Sequence, residues 1–161
     1  MKLFATLILW ITILGAPDIA SVRKMYPNVG KSEANAKDFT AKLASIANTD
    51  ENILVAYKAA SILLDSKYEK NLSSKMSRFK EGAKLLESTV ANEPNSVEIR
   101  MIRLSIQENV PGITGYKKNI KEDKAFVLAH VNEQNATLKE YIKAFILQSK
   151  SFSDKEKQSA K

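Results

Sequence analysis

The sequence predicts an all-α fold, and three observations carry that expectation. From Lys31 onward, apolar residues recur at three- and four-residue spacing. No stretch sustains the period-two alternation of a half-buried strand. Turn-forming residues punctuate the pattern at Glu93-Pro94-Asn95-Ser96 and at 109–115, where two of the five Gly and one of the four Pro fall. Together they predict about six helices, antiparallel where short connections join them, in a single domain over 21–149.

The first predicted helix covers 33–48, with Ser32 as N-cap and Phe39, Leu43 and Ile46 on one face. Asn48-Thr49-Asp50 breaks the pattern, and a second helix follows over 51–66 with Leu54, Tyr57, Ala60 and Leu64 at helical spacing. Residues 67–74 are polar and read as a connection. The third helix, 75–92, carries Met76, Phe79, Ala83, Leu86 and Val90, an alternation of three and four that makes a seam for a neighbouring helix. Pro94 cannot continue it, and Asn95 or Ser96 can cap the fourth, 97–108, with Ile99, Ile102 and Ile106 inward. A fifth helix is expected over 120–131 and a sixth over 137–148, with Leu138, Tyr141, Ile142 and Phe145. The polar remainder, 150–161, is expected to fray.

Composition narrows the chemistry. The chain has 161 residues, which suits one domain with a real core. It contains no Cys, which excludes disulfides, thiolate zinc sites, a cysteine nucleophile and a lipid-anchoring cysteine. A single His, His130, excludes any site needing two imidazoles. With 25 Lys and Arg against 18 Asp and Glu, the formal net charge is +7. The densest basic stretch, 67–84, holds six basic and two acidic residues, with only Tyr68 and Phe79 as aromatics. That is no stacking platform for single-stranded nucleic acid, so the charge reads as a solvated basic surface and no nucleic-acid partner is expected.

The N-terminus has its own signature. Met1-Lys2 precedes twelve uncharged residues, 3–14, and then Gly15-Ala16-Pro17. A basic start, a short apolar run and small residues form the layout of a secretory signal peptide within 1–20. A membrane span needs about 20 apolar residues. Cleavage is expected near 16–20: after Ala16, with Leu14 at −3, or after Ala20, with Asp18 at −3. The expected location is exported, periplasmic or extracellular, in a bacterium, with membrane contact only through an uncleaved signal or weak electrostatics.

Around Asn92-Glu93-Pro94-Asn95-Ser96 the sequence resembles the junction between tetratricopeptide (TPR) repeats. Gly82, Leu86 and Thr89 fall at the small, large and small positions of a repeat's second helix. Tyr57, Ala60, Ser61 and Leu64 follow the first helix loosely. The link between these two helices is about nine residues longer than the repeat's, and Arg100 stands where the next repeat has an aromatic. The segment 94–126, with its E-I-R-x-x-R run and a Gly/Pro loop ending in Tyr116, is similar to a family of small exported bacterial helical proteins. That resemblance implies a TPR-like helical body and an export route, and no activity.

The candidate site residues surround the Gly/Pro loop. Only four basic residues are Arg, and Arg100 and Arg103 share the fourth helix. Arg is favoured where a rigid fork meets a carboxylate or phosphate. With Gln107, Asn109, Tyr116 and Asp123 they form either a polar binding pocket or an internal salt bridge, Arg103 with Asp123 or Glu122, that fixes the loop; the second is preferred. His130 with Glu133 lacks the further ligands a metal centre needs, and the acid pairs 50–51 and 122–123 read as helix-start charges. Asn71-Leu72-Ser73 and Asn135-Ala136-Thr137 match the glycosylation pattern and read as caps. No hydrolase, P-loop or dinucleotide fingerprint is present. The expected function is a non-enzymatic interaction module binding a protein or peptide, without cofactor or metal. The alternative is a carrier of a lipid or other small ligand, with an apolar cavity lined by Phe39, Tyr57, Phe79 and Ile102.

Overall fold

A computed structural model describes residues 17–160 and contains, among them, eight α-helices and no strand. The apolar run 3–14, on which the signal-peptide expectation rests, lies outside the described residues. The helices are α1 (Ile19–Met25), α2 (Glu33–Lys42), α3 (Asn52–Ser66), α4 (Leu72–Asn92), α5 (Val97–Asn109), α6 (Ile120–His130), α7 (Ala136–Gln148) and α8 (Asp154–Ser159). Each of the six predicted spans overlaps one, α2 to α7, and a short helix is added at either end.

Side-chain caps explain most starts. Asp18, Ser32, Asn71, Ser96, Asn135 and Ser153 each accept a hydrogen bond from a backbone N–H in the first turn. Such a cap contributes about 1 kcal/mol. Asn71 places the start of α4 three residues ahead of the predicted Lys75, and both Asn residues of the glycosylation-like triplets are N-caps. Glu122 and Asp123 lie in the first turn of α6 as expected of helix-start charges, but none of the acids at 50–51 and 122–123 caps a helix. Asp50 accepts from the Ala47 N–H at 2.8 Å, Glu51 makes no side-chain cap, and Asp123 is taken up by arginine.

Three differences from the sequence expectation have local causes. The first predicted helix stops at Lys42 rather than 48, because side chains take over its last backbone groups. Lys58 donates Nζ to the Ile46 carbonyl at 2.6 Å, and the Asp50 carboxylate holds the Ala47 N–H. Residues 19–31 form α1 and a 3-10 turn, Tyr26–Lys31, that bury Val22 and Val29 in the main core. The C-terminal stretch expected to fray instead buries Phe152 against Phe145 and forms α8. A capping box at Ser153 and Glu156 starts that helix, and Lys124 and Ser153 hold the Glu156 carboxyl down at about 2.

The helices pair as antiparallel neighbours. Asn52 meets Asn92 and Asp65 meets Arg78, so α3 and α4 run in opposite directions. Arg103 meets Asp123 and Gln107 meets Asn119, which does the same for α5 and α6. At the α3–α4 crossing, a Cβ on Gly82 would lie 2.7 Å from Leu63 Cγ and 3.0 Å from the Ala59 carbonyl, so only glycine permits this approach. Tyr26, Phe39 and Tyr57 pack ring to ring with centroids 5.1–6.3 Å apart and tie α2 and the 3-10 turn to α3.

Candidate functional site

Two features were candidates for a site, and they differ in kind. The first is the arginine cluster. Arg103 donates Nε and Nη2 to the two Asp123 oxygens, both at 2.7 Å, and Nη1 to Glu87 at 2.8 Å. Tyr116 donates its hydroxyl to the other Glu87 oxygen at 2.7 Å. Arg100 reaches the Pro94 carbonyl at 2.6 Å, Glu122 at 2.8 Å and Asp123 at 3.1 Å, with its guanidinium 4.3 Å from the Phe126 ring centre. Asp123 is fully buried. Burial opposes charge on Arg103, but Asp123 and Glu87 outweigh it and raise the pKa further. Burial, reinforced by Glu87, likewise keeps Tyr116 protonated as a donor.

These groups spend their polar capacity on one another, so the cluster clamps α4, the 109–115 loop and α6 onto α5. Two predicted members stand apart. Gln107 is fully buried, donates weakly to Asn119 at 3.4 Å and leaves Oε1 without a partner. Asn109 is exposed, donates to the Ser105 carbonyl at 2.8 Å and accepts from Lys150, just past the end of α7, at 3.1 Å. His130 bonds Glu133 at 2.8 Å on the surface, and no group of three or more His, Asp or Glu among the described residues is placed to hold a metal.

The second feature is a groove of about 840 Å³. Its floor comes from one face each of α3, α5 and α7, through Leu63 and Leu64, Met101, Ser105 and Ile106, and Tyr141 and Phe145. Its walls are the start of α4 (Leu72, Met76, Phe79) and the loop after α5 (Val110, Pro111, Ile113). Leu72, Met76 and Ile113 are 73%, 43% and 97% exposed, which makes them three of the four large apolar side chains left to solvent among the described residues. Lys31, Lys67, Lys75 and Lys150 stand along the rim. The lining also holds a few satisfied polar groups. Tyr26 and Ser105 share a hydrogen bond at 2.5 Å, and the buried Glu108 carboxylate accepts from Ser149 and Ser151 at 2.6 and 2.7 Å.

Of the groove residues, only Phe79 and Asn109 were expected at a cavity or site, whereas Leu64, Met76, Ile106, Tyr141 and Phe145 were expected only as apolar positions of their helices. The residues expected to line a cavity, Phe39, Tyr57 and Ile102, are packed in the core and only Phe79 reaches the groove. One sequence signal did point there: Lys67 and Lys75 belong to the dense basic stretch 67–84.

No family model matches this chain, and neither a curated protein nor a solved structure matches it. The fold and the groove define an all-α protein with a concave apolar face.

Proposed function

We propose that this protein is a helical interaction module that binds a segment of a protein partner in the groove, by recognition rather than catalysis. The observation that carries the reading is the groove itself, floored by α3 and α5, the leading helices of two antiparallel pairs, and by α7. TPR-like stacking builds concave surfaces of this kind. Its supports here are the burial of Tyr57, Ala60 and Ser61 on α3, the glycine contact at Gly82, and the burial of Leu86 and Thr89 on α4. The Glu108 carboxylate in the lining suits a peptide, which brings its own polar groups, better than an acyl chain. The basic, apolar, small-residue order of the first sixteen residues supports an exported protein working in the bacterial envelope.

Peptide selection from a displayed random library tests the reading. Ala144 is an exposed lining residue, so Ala144→Trp fills the groove without changing charge or core. Selected peptides are expected to bind the native chain and to lose about tenfold or more on the variant, at unchanged melting temperature. Peptides that bind both proteins equally would overturn the groove as the site.

A further inference from the structure

The apolar stripe of α4 extends further than the helix that covers it. Leu72, Met76, Phe79, Ala83, Leu86 and Val90 follow spacings of four and three in turn, the period of a helix–helix seam. Leu86 and Val90 are buried, whereas Leu72 and Met76 are open. The cause is geometric. With α3 and α4 antiparallel and Asp65 bonded to Arg78, the end of α3 at Ser66 leaves the first turns of α4 projecting beyond it. The outer part of the seam therefore lacks the helix that its period accommodates, and it opens into the groove.

The charge around that opening is net positive, four lysines against the one lining acid, Glu108. Lysines that form ion pairs among the described residues are Lys37 and Lys124, neither of them on the groove. The acids nearest the opening are engaged: Asp65 and Glu69 by Arg78 at 2.7 and 2.9 Å, Glu108 by two serine hydroxyls. Lys31, Lys67, Lys75 and Lys150 are left as unneutralised positive charge beside apolar surface. A second copy of this chain, itself at +7, would be repelled. A planar membrane would meet Ile113 and Leu72 and leave the concavity below them unfilled.

We propose that the groove receives an acidic amphipathic helix of a partner protein. Its apolar side continues the seam over Leu72 and Met76 and under Ile113, and its flanking carboxylates meet Lys31, Lys67, Lys75 and Lys150. This rests on the groove-binding reading above and adds to it the form and charge of the partner.

The test uses the full chain and two fluorescent designed helices. Both carry the same leucine seam; one has Glu along both flanks and the other Lys. Anisotropy titration is expected to show the Glu helix binding about tenfold or more tightly than its Lys twin, with affinity falling as salt rises. Lys67→Glu with Lys75→Glu, the first exposed and the second half-buried, should reverse the preference at unchanged melting temperature, and Ala144→Trp should abolish both signals. Equal binding of the two helices, lost with Ala144→Trp, would overturn the acidic partner and leave the groove reading standing. Glu-helix binding that survives Ala144→Trp places the contact elsewhere and overturns the proposal. Failure of both helices overturns it too, and the peptide selection then decides the groove reading separately. Displacement of the Glu helix by phosphatidylglycerol vesicles, with vesicle binding lost in Ala144→Trp, would assign the surface to lipid instead.

Discussion

Arg103 shows what a single side chain does when both its hydrogen-bonding faces are occupied. Its fork spans both oxygens of a fully buried carboxylate and still reaches Glu87. Removing one partner of such a pair strands the other, which costs about 3–5 kcal/mol. Arg103→Ala is expected to lose stability near the lower end, because Arg100 keeps one bond to Asp123. Arg103→Lys should fall between, since one ammonium cannot span three acceptors in fork geometry. Urea unfolding of the two variants checks this, and a loss below about 1 kcal/mol for Arg103→Ala would show the network to be dispensable. The Arg103–Asp123 pairing was legible because both residues flank one loop. Glu87 was not, because it arrives on α4 through helix packing that no local pattern encodes. Grouping Gln107 with Asn109 failed for a simpler reason: residues two apart on a helix do not face each other, and here one turns to Asn119 at the start of α6 and the other to Lys150 past the end of α7.

Among the elements, α4 carries the most information. Its period was legible from the sequence, and so was its small residue at Gly82. The period alone could not show that α3 is too short to cover the whole stripe. Gly82→Ala isolates the crossing. Alanine improves intrinsic helix stability by up to about 1 kcal/mol. Here its Cβ would meet Leu63 Cγ at 2.7 Å and the Ala59 carbonyl at 3.0 Å, and backbone does not yield cheaply. Overpacking of this kind costs about 1–3 kcal/mol, so the net expectation is destabilisation by about 1 kcal/mol. Chemical denaturation measures it, and a variant more stable than the native chain would mean the α3–α4 contact is looser than the structure shows. At the C-terminus, the signal for α8 was present as Ser153 and Glu156 at capping-box spacing, with Phe152 beside them as an anchor. Polar composition masked it, because the burial that stabilises so short a helix comes from Phe145 on α7.

At the scale of the whole molecule, the groove exists only because several distant stretches converge. The 3-10 turn at 26–31, the ends of α3 and α5, the start of α4 and the outer face of α7 each supply a few side chains. No single window of sequence holds that pattern, so composition revealed the lysines without showing what they surround. The same convergence bears on the N-terminus. Asp18 caps α1, accepting from the Ser21 N–H at 3.1 Å, and Pro17 is buried. Val22 is fully buried, and Arg23 reaches across to Glu98 with bonds of 2.7 and 2.6 Å. A chain beginning at Pro17 keeps all of these contacts. A chain beginning at Ser21 keeps Val22 and Arg23 but loses the cap and Ile19, which packs on the core. The shorter chain is therefore expected to be less stable by about 1–2 kcal/mol, the range of a lost N-cap with a little apolar burial. Thermal melts of the two purified chains measure the difference directly, and equal melting temperatures would show that α1 needs no start signal. If the chain is exported as proposed and processing preserves the folded body, N-terminal sequencing of the product finds the cut ahead of Asp18 and not after Ala20.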